Sequence, residues 1–127
     1  QTYASVAPSR YVDAGSTIVG GAVVKLGAAS NSIQAVAATS DKPLGVAQNT
    51  PDVDLNRTAT ERVAVCVAGP ATGLAGAAVS AGDSLQITAA GLLVPKSAAG
   101  YVVGEALTSA ASGEYFDMLV HIRKEPA

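Results

Sequence analysis

"PLGVAQ", residues 43–48, and "VVGEAL", residues 102–107, decide how this chain is read. Each places a glycine inside a short apolar run. Within a strand, glycine has no side chain to pack and marks a bulge or a close approach of another backbone. The same succession surrounds both. "GGAVVKL" (20–26) precedes the first as "AGDSLQI" (81–87) precedes the second, and "RVAVCVA" (62–68) follows the first as "YFDMLVH" (115–121) follows the second. Each half runs through a Gly turn, a strand, a second strand, the Gly-centred strand, a loop and a long final strand. Two weakly similar β units are expected, residues 14–69 and 77–123, linked by "GPATGLAGAAVSAG" (69–82).

Working outward, the apolar runs are short and turn residues recur between them. "AVVKL" (22–26), "SIQAVAA" (32–38), "LGVAQ" (44–48) and "RVAVCVAG" (62–69) read as strands in the first half. "SLQIT" (84–88), "LLVPKS" (92–97), "YVVGEAL" (101–107) and "YFDMLVHI" (115–122) read as strands in the second. Regular spacing of this kind is the mark of an all-β sandwich or barrel. No segment carries a helical apolar stripe over ten or more residues. The expected class is all-β, a compact small barrel or sandwich of short strands, as a single domain over residues 14–127. Residues 1–13, "QTYASVAPSRYVD", are read as an extended N-terminal arm, because Pro8 interrupts a segment without period-two pattern. On that reading a chain beginning at Ala14 still folds. At this loop the first half carries a longer insertion, "NTPDVDLNRTAT" (49–60), polar and Pro-containing, which is read as an exposed loop.

Composition narrows the function. At 127 residues the chain can bury a core of its own. Charged residues make up 14% and the net charge is −2, which argues against nucleic acid as a partner. Aromatics are 4%, too few for a base-stacking or sugar-binding platform. Hydrophobic residues reach 49%, chiefly Ala and Val, whose small side chains each bury little area. Burial against other copies or a larger partner would add to so modest a core. No apolar run reaches the ~18 residues of a membrane span, so no membrane partner is expected. The lone Cys66 forms no internal disulfide and is compatible with a reducing compartment. Gln1 is not an initiator, so at least one residue is expected to have preceded it, and no signal peptide is visible.

Three elements carry a resemblance: the early "GGAVVKLG", the mid-chain "DKPLGVAQNT", and the run from "ERVAVCVAGPATG" through "AGDSLQI" and "YVVGEAL" to "YFDMLVHI". In an alanine- and glycine-rich all-β chain this order resembles the small decoration, or capsid cement, proteins of tailed bacteriophages, over about residues 14–122. The resemblance implies a compact β domain that binds the major capsid protein on the outer surface of the virion. It implies a homotrimer, synthesis in the host bacterial cytoplasm, and neither catalysis nor a cofactor.

The residues that could carry chemistry agree with this. Lys42 in "TSDKP" occupies a turn, as the modified lysine of a lipoyl-carrier domain does, but Pro43 restricts the backbone just after it. An ordinary solvated turn is expected, with a carrier-type β domain modified at Lys42 as an alternative and an adhesin- or fibre-like β domain as another. His121 has no second histidine to share a metal, and Cys66 in "VAVCVA" reads as a small buried hydrophobe. Asp52 and Asp54 form an Asp-x-Asp pair without EF-hand spacing, so no metal site is expected there. Tyr3, Arg10 and Tyr11 stand out instead. Interfaces are enriched in Tyr and Arg, and these three are the candidate partner-binding residues, ordering on the capsid surface.

Overall fold

Runs of Val, Ile and Leu only a few residues long, each ended by glycine or a polar turn, can bury themselves only by pairing into sheets. A computed structural model describes residues 6–12, 18–27, 32–48, 56–57 and 62–126, and all regular structure among them is β. Strands β1 (Val6–Val12), β3 (Val23–Leu26), β4 (Ser32–Ala35), β5 (Gly45–Gln48) and β7 (Arg62–Cys66) close a barrel in the order β1-β4-β3-β5-β7. Strands β8 (Gly69–Leu74), β9 (Ser84–Ile87), β10 (Leu93–Pro95), β11 (Gly100–Ala106) and β12 (Tyr115–Glu125) form a five-stranded sheet in the order β10-β9-β11-β12-β8. Short β2 (Ile18–Val19) and β6 (Asn56–Arg57) pair with each other, so part of the 49–60 insertion is strand rather than loop.

The barrel and the sheet repeat one topology. The Gly-centred strand lies between β3 and β7 in the barrel and between β9 and β12 in the sheet, with the same register: Val24 faces Gly45 as Leu85 faces Gly104, and Ala47 faces Val65 as Ala106 faces Met118. The turns before β3 and β9 match as well. Gly21 and Gly82 hold φ of 86° and 95°, and their N–H groups donate to Ala47 O at 2.8 Å and Ala106 O at 2.7 Å. The glycines inside the strands are required by space. A Cβ on Gly45 would lie 2.4 Å from Cys66 O, and one on Gly104 would lie 1.9 Å from Leu119 O. Cys66 and Leu119 occupy equivalent places, and β11 is irregular between Val102 and Gly104.

Two further segments differ from the sequence reading. Residues 6–12, expected to belong to an arm, form β1, which pairs antiparallel with β7 and parallel with β4. Pro8 is accommodated because the β1–β7 register shifts between Ala7 and Arg10, where the ladder makes no demand for its missing N–H. The expected link 69–82 contains β8, which pairs with β12 as β1 pairs with β7. Each unit therefore begins with a strand that returns beside its last one.

Side-chain alternation assigns the core. Ile18, Val24, Ile33, Ala47 and Val65 cluster inside the barrel. The alternate row, Val23, Val46 and Cys66, belongs instead to a second cluster with Leu85, Leu93, Val103, Phe116 and Met118. This row is the barrel's outer face, packed toward the sheet where β5 meets β8 and β12. Burying each valine there is worth about 1.5–3 kcal/mol. Gln48 adds a polar fastening: its Nε2 donates to Thr72 O at 2.9 Å, and its Oε1 accepts from Thr72 N–H at 3.0 Å. The amide pairs with the open side of β8 as a further strand would.

Candidate interaction surface

Tyr3 lies outside the described residues, as do Asp52 and Asp54. Arg10 and Tyr11 are placed by the backbone of β1: Arg10 opposite Val63, and Tyr11 opposite Arg62 on one side and Ser32 on the other. The structure therefore sets two of the three candidate partner residues within a paired barrel strand.

The turn before Lys42 is built around Asp41. The N–H groups of Ala37 and Ala38 donate to Asp41 Oδ2 at 2.7 and 3.0 Å, and Lys25 Nζ donates to the same oxygen at 3.1 Å. These donors, Ala37 first and then Lys25, hold the Asp41 carboxyl below its ordinary range. Lys42 projects into solvent, whereas Pro43 beside it is buried. In the second unit, Gln86 stands at the register of Lys25 and fastens the corresponding loop without charge, accepting from Ser97 N–H at 3.0 Å and donating to Ala98 O at 2.8 Å.

Cys66 is buried, its thiol directed at the carbonyls of Ala68 (3.3 Å) and Pro70 (3.5 Å). Burial pushes its pKa up, which disfavours the thiolate a nucleophile requires. His121 is exposed on β12, with Nδ1 3.3 Å from Arg123 Nη1. Arg123 also pairs with Glu105 and Glu125, with the Glu125 contact the main cause of a guanidinium pKa raised above its usual value. Lys124 Nζ lies 5.5 Å from the centre of the Tyr101 ring. No cluster of three or more His, Cys, Asp or Glu able to hold a metal occurs among the described residues. These contacts fasten a sheet surface.

The surface carries its information in leucines instead. Leu26, Leu107 and Leu119 are 62%, 51% and 39% exposed. Leu26 borders a groove of about 340 Å³ at the barrel mouth, lined with Lys25, Lys42, Pro43 and Leu44. Leu107 borders a cleft of about 410 Å³ where the two units meet, lined with Gln48, Pro70, Thr72, Asp117 and Met118. Sequence reading passed over these leucines. The alternation of "DMLVH" puts Leu119 on the face of Asp117 and His121, opposite buried Met118 and Val120, and that signal was available.

No protein-family model matches the chain, and no curated protein is significantly similar to it. Among solved structures, the fold is similar to the head fiber gp8.5 N base of bacteriophage phi29, with a TM-score of 0.70 and 20% sequence identity over 94% of this chain and 97% of that one. At that identity the likeness is one of fold, and it spans both β units.

Proposed function

We propose that this protein is a non-enzymatic structural component of a bacteriophage head, bound to the major capsid protein on the outer surface of the virion and made in the host cytoplasm. The observation that carries the reading is the nearly end-to-end likeness to a phage head fiber base, in which neither chain has a substantial part left over. The resemblance of the sequence to capsid decoration proteins supports it independently. Its mechanism is linkage. A domain that binds the mature shell and not its separated subunits adds its binding free energy to the cost of rupture. Self-association as a homotrimer would multiply such contacts.

A second reading within the same class is favoured by the nature of that similar structure, the base of a head fiber: the domain seats a head fibre rather than sealing the shell. Co-sedimentation with empty heads of the cognate phage tests the shared claim. Saturable, stoichiometric binding is expected, and absence of binding at low and physiological salt would overturn it. Electron microscopy of decorated heads then separates the two readings, since fibres rise from the bound positions only if the domain is a fibre base. A stoichiometric adduct on Lys42 in the mass of the native protein would replace both readings with the carrier one.

A further inference from the structure

The repeated topology allows one surface to be interpreted by its twin. In the barrel, the row Val23–Val46–Cys66 is almost wholly buried because it docks on the second unit. At the same register the second unit carries Ser84, Glu105 and Leu119, and this row faces outward with Leu119 exposed. Leu107 extends the apolar part of that face, beside Asp117. A face used for docking in one unit thus stands open in the other, tipped by two leucines.

The barrel mouth offers a complement. Leu26 and Leu44 form an apolar groove, and Lys42 stands on its rim. Charges near both leucine groups are otherwise committed: Lys25 to Asp41, and Glu105 to Arg123. Lys42 and Asp117 make no ion pair among the described residues. One free cation beside an apolar groove and one free anion beside the exposed leucines that could fill it are complementary in sign.

We infer that the occupant of each surface is a second copy of this chain: Leu107 and Leu119 of one copy seat in the Leu26–Leu44 groove of the next, with Asp117 set against Lys42. The contact joins unlike surfaces, so it repeats from copy to copy until a ring closes. It rests on the self-association proposed above and names the surfaces that would carry it, but it stands apart from head binding, because copies can associate whether or not they engage a shell.

Sedimentation equilibrium of the full chain, at physiological salt and up to millimolar concentration, provides the test. Wild type associates. Lys42→Glu and Asp117→Lys each weaken association about fivefold. The double reversal returns to within about twofold of wild type, because the pair is restored with its signs exchanged. Leu26→Ser and Leu107→Ser each weaken association about tenfold or more. All four positions are exposed, and unchanged melting temperatures identify the losses as losses of contact. A monomer throughout the range would overturn the inference. So would association insensitive to these variants, or a double reversal weaker than either single one. A monomer would also remove the proposed homotrimer, whereas none of these results bears on co-sedimentation with heads, so this inference and head binding fail separately.

Discussion

The barrel and the five-stranded sheet share strand order and register, yet they bury opposite amounts of the same face. Val46 is inaccessible where Glu105, its equivalent, reaches solvent and pairs with Arg123. They also close differently. The barrel is sealed by parallel pairing of Tyr11 with Ser32 and Val12 with Ile33, whereas the sheet has only the parallel bridge of Ala75 with Leu93 between the same two places. The sheet compensates by using the barrel as its cover. Leu74 N–H donates to Gly21 O at 2.9 Å, and Gln48 occupies Thr72. One backbone plan thus serves two roles. Side chains decide which unit encloses its own core and which completes its core against a neighbour.

The strongest way to break the comparison is to remove β1. A chain beginning at Ala14 leaves β4 and β7 with unpaired edges and an open barrel, which also invites aggregation. Its melting temperature should fall by about 10 °C or more in a thermal scan. An unchanged value would restore residues 1–13 to the status of an arm that the fold does not need. Next come the paired glycines. Gly104→Ala should cost about 3 kcal/mol and Gly45→Ala about 2 kcal/mol, because the added methyl meets a strand carbonyl at both sites and more closely at the first. Urea denaturation measures both, and equal costs would show that the two close approaches relax alike.

A smaller effect sharpens the junction between the units. Gln48→Ala should lose about 1–2 kcal/mol by leaving Thr72 N–H and C=O without their amide partner. Gln48→Glu should lose more, because an ionised carboxylate cannot donate to Thr72 O. Separation of the denaturation curve into two transitions would show that this amide makes the units cooperative. The smallest effect distinguishes the two loop fastenings by pH. The Asp41 carboxyl is held below its ordinary value of 3.8, so its contribution is present above that pH and is lost as pH falls through the lowered value. The stability difference between wild type and Asp41→Asn should therefore be largest near neutrality and shrink under acid. Gln86→Ala in the second unit should give a difference that does not change over the same acid range, since an amide does not titrate there.

The sequence by itself determined the all-β class, most of the barrel and sheet strands and the correspondence of "PLGVAQ" with "VVGEAL", because local alternation and turn chemistry are properties of neighbouring residues. It also pointed to Gly45 and Gly104 as close approaches, since only a tight backbone contact favours glycine inside an apolar strand. It left β1 and β8 unread, as Pro8, Pro70 and Gly73 resemble punctuation until their partners are known. Pro8 lies at a register shift, Pro70 at the start of an edge strand, and Gly73 where a Cβ would come within 2.6 Å of Leu93 and 2.7 Å of Met118. Only the tertiary structure decided which of two equivalent faces would be covered. Val46 and Leu119 are both apolar strand residues in sequence. Burial depends on what lies across the sheet, and that is set by how the barrel docks against β8 and β12, through contacts far apart along the chain. Leu26 and Leu107 became visible for the same reason, whereas strand alternation alone sets Leu119 on the face of Asp117 and His121.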